Sequence, residues 1–419
     1  MVTTTASQPT WRSGTGSGSG ARRRRHVLVL TTHFPSSVEP LDGAPIARSL
    51  EALAASPRGW DVTCIHALGI PLLALGRYRD LAQLDDFAAV QGVALHRARY
   101  TLLPTLHERR APSAIANAAL PLARRLHAER PFDCIAGDGL YPQGLAAAWI
   151  ADALDLPLTL TARGKDIFHW ASRDFARDKM LEAGATTGGL CAGSVALIRE
   201  CAALGLPRER ITLLAPGIDR DRFRPLDHTQ LRHQLGNAIG FVLPDHAPML
   251  ICAASLEERN GQEIAIAALA QVEGARLVLA GEGPDMHSLR ELARDLGLAE
   301  RVHFAGRLDL DTLPVVLSAA DAMVLPVHSL ETEEAWIEAL ACGTPVITCD
   351  TGAAREVIRD DTAGRLVARD PDSVAAGINA VLNAPPPSHE VAACASSYSW
   401  ELHADIFAAH LAEIADQAR

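Results

Sequence analysis

From residue 26 onward, short apolar runs alternate with longer segments whose apolar residues recur every three or four positions. The short runs, bounded by Gly, Pro, Asp or Thr, read as strands buried on both faces, and the periodic segments read as amphipathic helices. Strands are expected at 27–30, 62–66, 134–136, 158–161, 189–191 and 211–214. After a break they recur at 249–253, 276–280, 302–305, 322–325 and 345–348. Helices are expected between them, at 45–55, 144–154, 261–271, 287–296, 313–319 and 372–382. This alternation predicts an α/β fold of parallel sheets with helices on both faces. The break at 217–244 is rich in Asp, Arg, Pro and Gly, which marks a hinge between two such domains. The expected organisation is a disordered Gly/Ser/Arg tail at 1–25, a first Rossmann-like domain at 26–217, a second at 218–398 and a closing helix within 399–419. Doubly wound sheets bind ligands at the carboxyl ends of their strands, so two facing sheets offer one cleft.

Composition narrows the class. With 48% hydrophobic and 21% charged residues, 419 residues can build two or three cores and cannot be a disordered chain. Eight scattered cysteines without a CxxC pair read as reduced thiols of a cytoplasmic protein. A net charge of -11 argues against nucleic-acid binding. That charge is uneven: residues 1–215 hold 24 Lys and Arg against 19 Asp and Glu, whereas 216–419 hold 15 against 31. Lys165 and Lys179 are the only lysines. No apolar run is long enough to span a membrane, so membrane contact is at most peripheral. The run Arg22–Arg25 reads as a solvated tail or as a weak contact with an anionic surface.

The stretch 253–384 carries a dense ordered set of motifs. It contains Leu256-Glu257-Glu258-Arg259-Asn260-Gly261, then Leu279-Ala280-Gly281-Glu282-Gly283-Pro284, then Val302-His303-Phe304-Ala305-Gly306. Ala320-Asp321-Ala322-Met323-Val324-Leu325-Pro326 follows, then Glu338-Ala339-Leu340-Ala341-Cys342-Gly343-Thr344-Pro345, then Gly352-Ala353-Ala354-Arg355-Glu356-Val357. The first half adds Leu30-Thr31-Thr32-His33-Phe34-Pro35 with Gly43, Tyr141-Pro142-Gln143-Gly144, Thr161-Ala162-Arg163-Gly164-Lys165-Asp166 and the hinge run Leu214-Ala215-Pro216-Gly217-Ile218-Asp219. Over 26–415 the set resembles glycosyltransferase family 4, retaining enzymes of the GT-B architecture, and within it a bacterial polysaccharide-type subgroup.

The resemblance implies transfer of a hexose-like sugar from a nucleotide-sugar donor to a small-molecule or glycan acceptor, with no metal and no separate cofactor. The donor would lie on the second domain and the acceptor on the first. The leaving diphosphate must have its charge neutralised and the sugar must be held toward the acceptor. The family uses an Arg and a Lys for the first task; the corresponding positions here are Ser255 and Asn260. A neutral pair donates hydrogen bonds, but charge-assisted bonds are about twice as strong. Arg259 and Arg307 are the nearest replacements. Of the family's two glutamates, Glu338 matches the ribose-binding one, and Glu331 stands one residue too close to it to match the first. If the loop is one residue shorter, Glu331 grips the sugar; otherwise that contact is lost. The glycine-containing turn of the family is replaced by Thr332-Glu333-Glu334-Ala335, whose acids suit a first helical turn but repel a diphosphate. Gly43, Gly281 and Glu334 complete the donor-side set. His33, Asp138 and Tyr141 are the acceptor-side candidates. Arg163 and Asp166 are either catalytic cleft residues or an internal ion pair at a strand end.

Other features are blander. Gly281-Glu282-Gly283 lacks the third glycine of a dinucleotide fingerprint, because Met286 stands there. Asp309-Leu310-Asp311 reads as a helix start rather than a metal site, and the sixteen histidines show no metal spacing. Cys342 and Trp336 read as core. Three functions stay open: a sugar transferase of secondary metabolism or polysaccharide assembly with an atypical diphosphate site, a non-catalytic relative that binds a partner enzyme or a sugar, and an enzyme with altered donor or nucleophile chemistry.

Overall fold

The computed structural model describes residues 23–102, 107–227, 231–232, 235, 238–244, 246–328 and 333–417. The first sheet holds β1 (Arg25–Thr31), β2 (Trp60–Pro71), β3 (Phe87–Val90), β4 (Val93–Leu102), β5 (Cys134–Asp138), β6 (Leu158–Ala162), β7 (Gly189–Ala192) and β8 (Ile211–Leu213). They lie in the order β3-β4-β2-β1-β5-β6-β7-β8, parallel except for β3, which runs antiparallel to β4. The second holds β9 (Met249–Ala253), β10 (Arg276–Ala280), β11 (Val302–Gly306), β12 (Ala322–Leu325), β13 (Val346–Cys349) and β14 (Gly364–Val367). Their order is β11-β10-β9-β12-β13-β14, and every pair is parallel. Each sheet reverses direction once, beside β1 in the first and beside β9 in the second. At such a switch point the chain departs to opposite faces and leaves a crevice.

Alternation along β1 sets the layers of the first sheet. Leu28 and Leu30 pack with Ile65, Ile135 and Leu160 on one face. Val27 and Val29 pack with Val62, Cys64, Phe407 and Leu411 on the other. That second face is closed by the helix Trp400–Asp416, so the C-terminal helix crosses back from the second sheet to complete the first core. The Trp60 indole donates to Ala408 O at 3.2 Å, and Arg25 pairs with Asp416 at 2.9 Å. Arg25 opens β1 and Arg24 donates to the carbonyls of Ala54 and Trp60, so these two residues, expected in the tail, belong to the first domain.

The expected strands are found, and three more join them. In β4, His96, Arg97 and Arg99 interrupt the apolar run, and β3 and β14 are only four residues long. The helix His107–Glu129 also escaped the pattern because Pro112 and Pro121 lie within it. No helix among the described residues is long and apolar enough to cross a membrane.

Candidate active site

The crevice between the sheets has a volume of about 510 Å³. Its first wall forms where β1, β5 and β6 end side by side. Asp138, the last residue of β5, pairs with Thr161 of β6 and is almost fully buried. Its Oδ1 accepts two bonds from the Arg163 guanidinium, from Nε at 2.8 Å and from Nη2 at 2.7 Å. Its Oδ2 accepts from Thr31 Oγ1 at 3.1 Å. Burial opposes the Arg163 charge, but Asp138 more than offsets it, so the guanidinium stays charged with one edge free to face the crevice.

Asp166, expected beside Arg163, performs another task. It is buried, and its carboxylate accepts the backbone N–H groups of Leu140, Tyr141 and Arg163 at 3.0, 3.2 and 2.8 Å. Burial pushes it up to about 6 even so. The arginine's partner is thus Asp138, and Asp166 staples the loop after β5. Tyr141 turns into the core, edge-on to Trp170 and Phe175. His33 pairs with Asp42 at 2.8 Å, and that hydrogen bond raises it above the ordinary imidazole range. Gly43 lines the crevice at φ 67°, where a Cβ would stand 2.5 Å from the His33 carbonyl; only glycine permits this turn.

The second wall starts at the end of β9. Ser255 is exposed, but Asn260 is buried and turned inward. Asn260 Nδ2 donates to Ser255 O at 2.7 Å and to Ser255 Oγ at 3.1 Å, and Gln262 Nε2 donates to the same carbonyl at 2.7 Å. Neutral hydrogen bonds hold the loop. Gly261 sits at φ 72° with its α-carbon against Pro326 O, where a Cβ would clash at 2.3 Å. Gly281 is closed off by the Ala254 carbonyl, which serves packing. Arg259 pairs with Glu257 at 2.8 Å and Arg307 with Glu282 at 3.8 Å. Asp309 accepts from the N–H groups of Asp311 and Thr312 and so caps the helix Thr312–Ala319.

Glu334 and Glu338 lie one helical turn apart on Glu333–Ala341. Glu334 lines the crevice opposite Arg163. Burial raises its pKa and the Arg163 charge opposes the rise. Burial, then repulsion from Glu334, pushes Glu338 up to about 8. Both also line a smaller neighbouring cavity of about 100 Å³ with Arg48, Arg222 and Trp400. Glu331 lies outside the described residues.

Sequence reasoning missed the part played by the last helix. Trp400 and His403 line the crevice. His403 Nδ1 donates to Ala215 O at 2.8 Å, its Nε2 accepts from Ser49 Oγ at 2.6 Å, and burial pushes it down to about 4. It is a neutral clamp joining the last helix, the helix Ala44–Ala55 and the hinge. Nothing in the local sequence signals this, because the partners lie 354 and 188 residues away.

Two Rossmann-like sheets facing one crevice, charged on both walls, define a GT-B protein. The profile of the family described as Glycosyl transferases group 1 matches residues 240–396. The chain is 30% identical over 276 residues to a GDP-mannose-dependent alpha-(1-6)-phosphatidylinositol monomannoside mannosyltransferase of Mycobacterium tuberculosis, covering 62% of this chain and 69% of that one. It is 35% identical over 188 residues to a D-inositol 3-phosphate glycosyltransferase of Geodermatophilus obscurus, covering 42% and 41%. The sucrose-phosphate synthase structure from Thermosynechococcus elongatus superposes with a TM-score of 0.71 at 20% identity, over 91% of this chain and 96% of that one. The chain therefore belongs to the group 1, or family 4, glycosyltransferases.

Proposed function

We propose that this enzyme moves a hexose from a nucleoside diphosphate donor, with retention, to a hydroxyl acceptor in the crevice, through a diphosphate site that lacks fixed cations. One observation carries the reading: Arg163, held charged by Asp138, faces Glu334 across the crevice between the two sheets, and Glu338 lies one helical turn further on, in the smaller cavity that Glu334 shares. Arg163 is suited to position an acceptor or a phosphate on it, and Glu338 to bind donor hydroxyls. The relatives' names specify a GDP-mannose donor in one case and inositol-phosphate-containing acceptors in both, and the Arg163 guanidinium on the first wall is suited to an acceptor phosphate. Domain limits near 217 and 398 suit this division of labour. At the donor diphosphate, Arg259 and Arg307 exchange their glutamate partners for the ligand, because such half-exposed pairs are worth at most about 1 kcal/mol.

A lipid-borne acceptor fits as well. β2 and β4 run past the end of β1 to Pro71 and Leu102, which are register partners. Leu72 and Leu73 follow at 80% exposure, with Arg77 and Arg79 beyond them, an amphipathic edge suited to peripheral contact with anionic lipid.

The test is calorimetric titration with UDP, GDP, ADP and dTDP and their sugars, followed by NMR of the product's anomeric configuration. Binding of one nucleotide with sub-millimolar affinity and a retained anomer is the expected result. Silence with all of them sinks the donor reading and leaves the non-catalytic relative.

A further inference from the structure

We infer that Glu356 is an interdomain latch that holds the crevice closed and so positions the two walls for transfer. Glu356 lies on the short helix Ala354–Val357, whose Ala354 and Val357 are buried in the core of the second domain. Its carboxylate reaches the other domain. Oε2 accepts the Val195 N–H at 2.8 Å and Oε1 accepts the Ala196 N–H at 2.7 Å. These are the first two residues of the helix Val195–Leu204. The remaining free donor of that turn, the Leu197 N–H, bonds to Ser194 Oγ within the first domain.

The geometry is that of a switch rather than a packing contact. A helix start carries about half a positive charge, and bonds to a carboxylate there are charge-assisted. Both bonds cross from one domain to the other and share one carboxylate, so a rotation that separates the domains at this point breaks the two together. The latch also sits on the crevice wall, because Gly193 and Leu197 line the same cavity as Arg163 and Glu334. The chain itself crosses between domains at Gly217, where the Trp400 ring packs so closely that a Cβ would stand 2.5 Å from it. The chain crosses back ahead of the helix Trp400–Asp416, so the latch is a breakable tether beside two covalent crossings.

The inference does not depend on which donor is used. It is tested in the full chain with Glu356→Ala, Glu356→Gln, Val195→Pro and the double variant Glu356→Ala with Val195→Pro. Proline suits position 195, the first residue of the helix, and the preceding Ser194 is already extended at φ -146°, ψ 159°. Val195→Pro therefore deletes one donor and leaves the helix intact. Small-angle scattering of Glu356→Ala is expected to show a larger radius of gyration, with the closed-to-open ratio reduced about tenfold or more. Glu356→Gln and Val195→Pro fall between it and the parent, and the double variant matches Glu356→Ala. In a transfer assay the KM for acceptor rises by a similar factor while kcat changes less, because only the closed fraction binds productively. Unchanged scattering in Glu356→Ala overturns the inference, even if its melting temperature falls. So does strict additivity of Glu356→Ala and Val195→Pro. The scattering measurement needs no turnover, so a failed transfer assay with normal opening would count against the proposed reaction and not against the latch.

Discussion

Glu338 carries a sharp pH signature that needs no substrate to detect. The side chain is half-buried on the helix Glu333–Ala341 next to Glu334, and its pKa stands at about 8 against an ordinary 4.5. Above 4.5 the unfolded chain releases this proton, whereas the folded protein keeps it until about 8. Between those values the folded state binds more protons, so stability contributed by the protonated form is complete below 4.5 and is lost as pH rises through 8. The full difference corresponds to roughly 5 kcal/mol at 1.36 kcal/mol per pH unit. Solvent reaching the side chain reduces this to about 2 kcal/mol. Glu338→Gln mimics the protonated acid at every pH. Its melting temperature should match the parent near pH 4.5, exceed it increasingly up to pH 8 and hold a constant margin above. For a domain of this size that margin is about 4–8 °C. Parallel melting curves for the two proteins from pH 5 to 9 would refute the reasoning, since they would mean that Glu338 ionises as freely in the fold as in water.

Three further outcomes follow from the geometry. Ser255→Arg should strengthen nucleoside diphosphate binding about tenfold by calorimetry, because position 255 is exposed and a guanidinium there meets the anion directly; Asn260→Lys should not, because it removes the buried bonds that hold the loop. Asp166→Ala strands three backbone N–H groups and should cost at least about 3 kcal/mol in urea unfolding. Leu72→Ser with Leu73→Ser should abolish sedimentation with phosphatidylglycerol vesicles and leave transfer to a water-soluble acceptor unchanged, whereas equal sedimentation of parent and variant removes the lipid contact.

The strand positions and the motif order were legible because both sheets are buried on two faces, which turns strands into unbroken apolar runs. What the chain brings together from afar was not. Arg163 and Asp166 stand three apart, which suggests a pair, but the turn between them, with Asp166 N bonded to Arg163 O at 3.0 Å, aims the carboxylate at the backbone of 140–141. The true partner, Asp138, arrives through the register of β5 on β6. Asn260 was legible as a missing cation, but its inward bond to Ser255 depends on a loop conformation that no spacing encodes. Glu356 stood in a recognised motif without a task, because its partners are main-chain groups 160 residues away in the other domain.

The acidic surplus of the second half takes on a different meaning at the crevice. Charge by itself argues against an anion site there, yet the acids near the loop after β9 are not idle. Glu257 holds Arg259, Glu282 holds Arg307, and Glu263 holds Arg369 at 3.3 Å. Each of these arginines is therefore paired at rest, and under the proposed donor placement the diphosphate would have to displace a carboxylate to reach it. Arg307 is 61% exposed and its pair is the longest of the three, so it exchanges at least cost. Exchange of one anion for another releases little net charge, so donor affinity should depend weakly on salt up to the point where screening loosens the resting pairs. In a site with a fixed Arg and Lys, the uncompensated cations would make affinity fall steeply with salt. A titration from 50 to 500 mM NaCl separates the two: a shallow slope fits exchange, and a steep one shows that cations without carboxylate partners bind the diphosphate.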